Sequence, residues 1–261
     1  MKVLENNYLA LIQCMTYNQS AYITDALNGF VMQKTDFPFL TLVFDDASTD
    51  GEQEVLKNFL KKHFDHSEDT GYKQWETEDA YYIFARHHAN ENCFFIVALS
   101  KKNLYRNPRK RELIKIWDEK AKYIAMCEGD DYWTDPLKLQ KQVDFLEGHE
   151  EYSMCFHGAE IVHEGVDESK TGLRCQNIED REYSSTEVFS FWIVPTASIV
   201  YRCEMLIGFN LKHPEWLTRG DIALVLKCAH RGKIFGMIDK MSVYRMQPNS
   251  VSHNPKFRDP E

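Results

Sequence analysis

Three carboxylate side chains stand within four residues of one another, at positions 128, 130 and 131. Glu128, Asp130 and Asp131 directly follow the apolar run Tyr123–Cys127, and their charges repel one another unless a cation or a ligand neutralises them. Hard oxygen ligands at this density suit Mg²⁺ or Mn²⁺, which use few protein carboxylates and share their coordination with substrate phosphates. The cluster therefore predicts a divalent metal site, and an acidic turn that caps the next helix is the alternative.

A second pair of carboxylates, Asp45 and Asp46, follows the aromatic and β-branched run Phe39–Phe44. If the two runs are strands of one parallel sheet, both acidic groups face the crevice at the carboxyl ends of the strands, where ligands bind. One of these aspartates could accept a hydrogen bond from a base N–H. The alternative is local, because aspartates before Ser-Thr-Asp are also good turn and helix-cap residues.

The elements that must position these groups alternate between strand and helix. The apolar run Leu9–Cys14 predicts a buried strand, followed by a helix that is capped near Ser20 and runs to about Gln33. A second helix after Phe39–Phe44 is indicated by apolar residues that share one face, namely Val55, Leu56, Phe59, Leu60 and Phe64. This order predicts a parallel sheet with right-handed crossovers, whose loops meet at one ligand-binding edge.

The rest of the chain predicts a mixture of strands and helices. Further strands are expected at Tyr81–Ala85, Phe94–Leu99, Tyr123–Cys127, Tyr152–His157, Ala197–Tyr201 and Lys233–Ile238. One helix is expected to begin at Asp135-Pro136, with the aspartate as N-cap, and another to run from Asp221 to about His230. The polar residues 65–79 indicate a surface excursion, to which no function is given.

Composition narrows the possible classes of protein. The chain has 261 residues, 31 Lys+Arg against 40 Asp+Glu and a net charge of −9, which argues against nucleic acid as a partner. Its length is sufficient for one large α/β domain without a disulfide or metal staple. No stretch predicts a membrane-spanning helix or a signal peptide, so we expect a cytoplasmic protein. The seven scattered cysteines are typical of reduced, packed thiols.

Five segments, in order, carry a resemblance to a known family. They are Thr16-Tyr17-Asn18, Phe44–Gly51, Tyr123–Trp133, Gly220-Asp221 and Tyr244-Arg245. Together they resemble the family 2 glycosyltransferases over about residues 8–253. The resemblance implies the α/β GT-A fold, in which a Rossmann-like nucleotide-binding half with a mostly parallel central sheet is fused to a smaller mixed acceptor-binding half. Here the halves would be residues 1–131 and 132–261 of one continuous domain.

The resemblance also implies a reaction and a donor site. The reaction would move a sugar, with inversion, from a nucleotide-diphosphate donor, usually UDP-linked, to an acceptor hydroxyl, with Mn²⁺ or Mg²⁺ as cofactor. Tyr17, between Thr16 and Asn18, would flank the nucleotide base. Asp46 would bind the base, and Asp45 would support that loop.

For the acidic cluster and the base, the resemblance gives each residue a role. Asp130 would contact the ribose or the metal, and Asp131 would ligate the metal that bridges the diphosphate. Glu128 stands where the family usually has its first acidic residue. Asp221 would be the general base, although the family's common Glu-Asp pair is Gly220-Asp221 here and leaves a single carboxylate.

Transfer from a nucleotide diphosphate also requires positive charge beside the leaving group. The candidates are Lys101, Lys102, Arg106, Arg109 and Arg245, and a solvated helix start is the alternative for the first four. Trp133 directly follows the acidic cluster and is expected to form a platform for the acceptor sugar, although tryptophan is more often a core residue. His253 is a further candidate contact to the diphosphate.

Two rival functions differ in what they require. A sugar-phosphate nucleotidyltransferase needs a glycine-rich loop after its first strand, and Met15–Ser20 contains no glycine. A catalytically silent nucleotide-sugar-binding module would not need Asp130, Asp131 and Asp221 together. The family's commonest setting is cell-envelope or capsular glycan synthesis, so we expect a glycan or lipid-linked acceptor, reached by peripheral contact at the inner face of the membrane.

Overall fold

The structure, a computed structural model, describes residues 8–165, 177–206 and 220–247. The expectation for His253 therefore lies outside the described residues. Within these ranges the elements alternate as the sequence predicts in the first half of the chain. That half contains β1 (Tyr8–Thr16), α1 (Ile23–Val31), β2 (Phe39–Asp45), α2 (Glu52–His63), β3 (Lys73–Glu76), β4 (Ala80–Arg86), β5 (Cys93–Ser100), α3 (Pro108–Asp118) and β6 (Ala121–Met126).

The second half is more mixed, in agreement with its irregular sequence pattern. Its described elements are β7 (Tyr132–Trp133), α4 (Lys138–Gly148), β8 (Tyr152–His163), β9 (Arg181–Tyr183), α5 (Ser185–Phe191), β10 (Val200–Arg202), α6 (Gly220–Arg231) and β11 (Lys233–Met246).

All described strands belong to one sheet. Its order is β3-β4-β5-β2-β1-β6-β10-β8-β11-β7, and β9 pairs with the beginning of β11. The four strands β5, β2, β1 and β6 are parallel, whereas β10 lies antiparallel between β6 and β8 and joins the two halves. The α/β fold predicted from the sequence, with a large and mostly parallel central sheet, is confirmed.

Apolar residues on both faces of the central strands explain why helices cover the sheet on both sides. In β1, Ile12 and Cys14 belong to the core on one face, and Leu11 belongs to the core on the other. All seven residues of β2 are buried. Strands of this kind are typical of parallel sheets that are covered on both faces.

Several elements differ from the prediction. β4 runs antiparallel to β5, and the excursion at residues 65–79 contains β3, which pairs with β4 at the edge of the sheet. α4 begins at Lys138 and not at Pro136, with Leu137 as its N-cap; Asp135 precedes it and accepts from the Leu137 N–H at 2.7 Å and from Lys141 at 2.8 Å. β11 continues eight residues beyond the predicted Ile238, through bulges at residues 237–242.

Two observations bear on the expectations drawn from composition. In the part of the chain that the structure describes, no helix combines the length and the apolar character needed to cross a bilayer. Six cysteines fall in the same part, and each is a buried free thiol.

Candidate active site

The loops that follow β1, β2 and β6 meet at the carboxyl edge of the sheet. The Asp46 N–H donates to the Thr16 carbonyl at 3.0 Å, and the Gly129 N–H donates to the Met15 carbonyl at 3.2 Å. We use "acidic loop" for residues 128–131, which connect β6 to β7. The three loops converge because β2, β1 and β6 are neighbouring parallel strands, and this edge is where α/β proteins bind ligands.

Gly129 allows the acidic loop to approach the end of β1 closely. A Cβ at this position would lie 2.5 Å from the Thr16 Oγ1 and 2.6 Å from the Gln19 Oε1, so no larger residue fits without a shift. The glycine is therefore required by space, and it fixes the distance between two of the three loops.

Replacing Gly129 by Ala is expected to push the acidic loop away from Thr16 and to lower the free energy of unfolding by about 1–3 kcal/mol, as overpacking typically does. Urea unfolding measures the change. Gly148→Ala is the matched control, because nothing lies within 4 Å of a Cβ at that position in α4. Equal stability of the two variants would contradict this account of Gly129.

Glu52, the first residue of α2, connects the loops after β1 and β2. Its buried carboxylate accepts hydrogen bonds from the Thr16 hydroxyl, from the Gln19 N–H at 2.8 Å and from the Ser48 hydroxyl at 2.9 Å. Burial raises the pKa of this carboxyl, while the three donors oppose the rise. Sequence reasoning missed Glu52, because an acidic residue in the first turn of a helix is ordinary.

The segment Thr16-Tyr17-Asn18 lies at this edge, as predicted. Asn18 has a φ of 53°, and its Oδ1 accepts from the Thr49 N–H at 2.7 Å, which links the loop after β1 to the loop after β2. Thr16 is buried, whereas Tyr17 is 47% exposed and lines a cavity that is described below. Of the three residues, the Tyr17 ring is therefore the one that presents a large surface to a ligand.

Asp45 and Asp46 are both buried and both engaged within the protein. Asp45 accepts from the Gln53 side chain at 2.7 Å and from the Ser48 N–H. Asp46 accepts from the Leu104 N–H at 2.6 Å and from the Lys110 ammonium group at 2.9 Å. Asp45 thus has the local turn role that was the alternative to base binding, whereas Asp46 binds distant residues and anchors the segment between β5 and α3.

In the acidic loop, the three carboxylates occupy different depths. Asp131 is 1% exposed; its Oδ1 accepts from the Arg245 N–H at 2.9 Å, and its buried Oδ2 has no hydrogen-bond partner among the described residues. Asp130 is half-buried and accepts from Gln247 at 2.8 Å. Glu128 is exposed.

The electrostatics of the acidic loop indicate negative charge that the protein does not neutralise. Burial, with the nearby Asp130 and Glu128 carboxylates, raises the pKa of Asp131 well above its usual range. Burial also raises the pKa of Asp130. Loss of solvation near the protein, together with the charges of Asp130 and Asp221, raises the pKa of Glu128. The Glu128 side chain nevertheless reaches solvent.

The acidic loop fits a divalent cation that a substrate phosphate helps to bind. The partnerless Oδ2 of Asp131 and the mutual repulsion of the carboxylates favour such an ion. Among the described residues, no three His, Cys, Asp or Glu side chains are grouped so that they could hold a metal by themselves. Mg²⁺ is commonly bound in this way, through one or two carboxylates plus substrate phosphates.

Arg245 supports the acidic loop. Its guanidinium group donates to Glu164 at 2.5 Å, to Asp25 at 2.8 Å and to the Asp130 carbonyl at 2.9 Å, and the side chain is 8% exposed. Every nitrogen of the group is engaged, so the predicted contact of Arg245 with the donor diphosphate would require rearrangement. Because its backbone N–H also binds Asp131, Arg245 instead positions the loop.

Asp221 lies at the beginning of α6 and is half-buried. It is near enough to the acidic loop for its charge to raise the pKa of Glu128. The Asp221 Oδ1 accepts from the Ile222 N–H at 2.8 Å.

Trp133 and Arg106 are placed differently from each other. Trp133 is 2% exposed, its indole N–H donates to the Ala197 carbonyl at 2.8 Å, and its ring meets Phe30 edge-on. The expectation of an acceptor platform is therefore wrong, and Trp133 is a core residue, which was the common alternative.

Arg106 is exposed at a φ of 58° and lies against the Tyr105 ring.

A cavity of about 1210 Å³ opens beside these loops. One part of its lining comes from residues after β1, β2 and β5, which include Tyr17, Ala47 and Asn103, and we name this part the mouth. Neither the acidic loop nor Asp221 is among the described residues that line it. The cavity and the carboxylates are thus separate regions of one edge of the sheet.

No protein-family model matches the chain. Among curated proteins, the uncharacterized protein Rv1520 of Mycobacterium tuberculosis (strain H37Rv) is 29% identical over 246 residues, which cover 93% of this chain and 60% of that protein. The uncharacterized protein Mb1547 of Mycobacterium bovis matches to the same extent. The chain thus spans about 60% of the length of these curated relatives.

Solved structures share the fold. S. aureus TarS 1–349 in complex with UDP-GlcNAc superposes with a TM-score of 0.60 at 18% identity, over 93% of this chain and 60% of that chain. The mannosyltransferase PcManGT from Pyrobaculum calidifontis, in complex with GDP-Man and Mn²⁺, gives a TM-score of 0.53 at 14% identity, over 95% of this chain and 59% of that one. At these identities the likeness shows the fold alone.

Proposed function

We propose that this chain is the catalytic part of a glycosyltransferase that moves a sugar, with inversion, from a UDP-linked donor to an acceptor hydroxyl. The observation that carries the proposal is the meeting of the acidic loop with the loops after β1 and β2 at one edge of the sheet, with Asp221 within electrostatic range of Glu128. Similarity of fold to TarS, solved with UDP-GlcNAc, and to a mannosyltransferase solved with GDP-Man and Mn²⁺ supports it.

The nucleotide base lies against Tyr17 at the mouth of the cavity. Thr16 and Asn18 hold the surrounding loops through Glu52, Ser48 and Thr49. Asp45 and Asp46 shape the base pocket from behind, since their carboxylates are already engaged by the protein. Arg106, exposed just before α3, is available to a phosphate.

Mn²⁺ or Mg²⁺ would be held by Asp130 and Asp131, with Glu128 at the open side of the acidic loop. When bound, such an ion supplies positive charge that stabilises the leaving diphosphate. The protein's own contribution is to keep these carboxylates together against their repulsion. Arg245 and Gln247 do this by binding Asp131 and Asp130.

Asp221 takes the proton of the acceptor hydroxyl. As the acceptor oxygen bonds to the anomeric carbon, the bond from that carbon to the diphosphate breaks, and the proton ends on the Asp221 carboxylate. Attack from the face opposite the leaving group inverts the anomeric centre. The position of Asp221 at the start of α6 favours its ionised form, which a base requires.

The proposal is tested by incubating the chain with UDP-sugars and GDP-sugars in the presence of Mn²⁺. We expect release of UDP from a UDP-sugar, slowly with water and faster with the acceptor, and an inverted anomeric configuration by NMR. A nucleotidyltransferase would instead form a nucleotide sugar and pyrophosphate from UTP and a sugar phosphate. A silent module would bind UDP-sugars without releasing UDP.

Replacing Asp131 by Asn keeps an oxygen for the Arg245 N–H and removes the charge. We expect the Mn²⁺-dependent gain in UDP affinity to fall by at least ~10-fold, which is the smallest effect typical of residues that support a metal site. Calorimetry with and without Mn²⁺ measures it. The control is Asp36→Asn, an exposed aspartate just before β2, at the opposite end of the sheet. Unchanged Mn²⁺ dependence in the Asp131 variant would remove Asp131 from the metal site.

The acceptor side of the reaction belongs to residues 132–261, and the donor side to residues 1–131. We propose a glycan or lipid-linked acceptor of cell-envelope or capsular glycan synthesis, met at the inner face of the membrane. The relatives extend well beyond the region that this chain matches.

A further inference from the structure

The cavity beside the active site has an arm that the donor does not explain. This part is lined by Tyr81, Ile83 and Leu99, which lie on the neighbouring strands β4 and β5, and by residues of α2. We name the polar side chains outside the mouth the basic arm; they are Lys57, Lys61, His66, Tyr72, Gln74 and Tyr81. Three of them come from the excursion at residues 65–79, for which the sequence predicts no function.

The charge of this cavity is opposite to that of the protein. Four lysines, Lys57, Lys61, Lys101 and Lys102, and His66 line it, and no described Asp or Glu does, in a chain of net charge −9.

Two of the lysines have acidic partners outside the lining. Lys57 is 3.8 Å from Glu54, and Lys101 is 2.6 Å from Glu76. No salt bridge between described residues involves Lys61, and the pair of Lys57 with Glu54 is long and exposed. The charges of these two lysines are therefore available to an anion within the cavity.

A donor nucleotide would fill only the mouth. The residues proposed to act on its diphosphate, Asp130 and Asp131, do not line the cavity, so the phosphates of a donor must lie outside it. The volume of about 1210 Å³ also exceeds the roughly 300–1,000 Å³ of ordinary ligand pockets. Space and positive charge therefore remain in the arm beyond the nucleoside.

We propose that the basic arm binds a second, small ligand that carries phosphate groups. Lysine ammonium groups bind phosphates as point charges. Hydrogen-bonding groups line the same arm, where the Tyr81 hydroxyl donates to the Gln74 Oε1 at 2.5 Å. This inference rests on the proposed function in one respect, namely that the donor nucleoside occupies the mouth. Ligand in the arm would then adjoin the donor and change its affinity, and the donor would change that of the ligand equally.

Inorganic pyrophosphate is the probe, titrated by calorimetry in EDTA so that the acidic loop holds no metal. We expect saturable binding that weakens about 10-fold or more in the double variant Lys57→Gln, Lys61→Gln. The control is Lys62→Gln, the next residue of α2, which is exposed and outside the lining. Circular dichroism verifies that each variant is folded.

Each outcome separates the arm from the donor site. Binding without saturation, or equal loss in the control, would overturn the basic arm as a site. Complete displacement of pyrophosphate by UDP would show that the lysines hold the donor's own phosphates, and would overturn a second ligand. Lysine-dependent pyrophosphate binding without any UDP binding would sustain the arm and overturn the proposed function. UDP binding with Mn²⁺ that is unaffected by the double variant is expected if both proposals hold.

Discussion

Replacing Asp221 by Asn is expected to lower the rate of sugar transfer by ~10²–10⁴-fold, the contribution of a positioned general base. The asparagine Oδ1 still accepts from the Ile222 N–H, so the beginning of α6 is preserved. It cannot take the acceptor proton. Donor binding should persist, because in the proposed site UDP is bound by Tyr17 and the acidic loop.

Two measurements on the same variant distinguish the roles that Asp221 could have. UDP affinity is measured by calorimetry with Mn²⁺, and turnover is measured as UDP release with the acceptor. Asp36→Asn serves again as the control for the loss of one carboxylate. Near-normal turnover in the Asp221 variant would exclude it as the base, and a parallel loss of UDP binding would assign it to the donor site.

The second large effect is on stability. Lys138 in α4 is 0% exposed; its ammonium group donates to Gln142 at 2.7 Å and lies 3.9 Å from the centre of the Trp133 ring. Burial lowers the pKa of Lys138 to about 7. We expect Lys138→Met, which has similar length and no charge, to raise the free energy of unfolding at pH 7 by about 2–4 kcal/mol, after allowing for the donor that Gln142 loses.

The dependence of this gain on pH gives a sharper test. Between about pH 7 and pH 10.4 the unfolded chain keeps the Lys138 proton while the folded protein has lost it, so the stability of the parent rises with pH in that window. The advantage of the methionine variant is therefore largest below pH 7 and disappears near pH 10.4. Lys34→Met, at an exposed position, is the control. An advantage that is independent of pH would contradict a buried ammonium group.

The sequence predicts the first half of the fold well, because each apolar run there is bounded by polar turns and is long enough to form a central strand. β1, β2, β5 and β6 follow from such runs, and the position of the acidic loop follows from β6. The short strands β3, β7 and β9 could not be predicted. Segments of two to four residues carry no clear periodicity, and these strands form only where a longer neighbour already offers hydrogen bonds.

The sequence indicates which residue types belong to the candidate site, but not which residues they bind. Asp46 is predicted to contact the base, and in the structure its carboxylate accepts from Lys110, 64 residues later in the chain. In the sequence, Glu52 is an ordinary acidic residue in the first turn of a helix. In the structure it accepts from the hydroxyl of Thr16, 36 residues earlier. Trp133 looks like a sugar platform because it follows Asp131, yet its ring points into the core. Such contacts depend on the tertiary packing of distant segments, which local spacing does not contain.

The continuity of the sheet has a consequence for the synthesis of this chain. One edge of β1 pairs with β6, which is synthesised more than a hundred residues later. The other edge of β6 pairs with β10, which is synthesised later still. Pairings of such long range form slowly, and open strand edges favour aggregation until they are covered. While the second half is being synthesised, the uncovered apolar strands of the first half are therefore the part of the chain most exposed to aggregation.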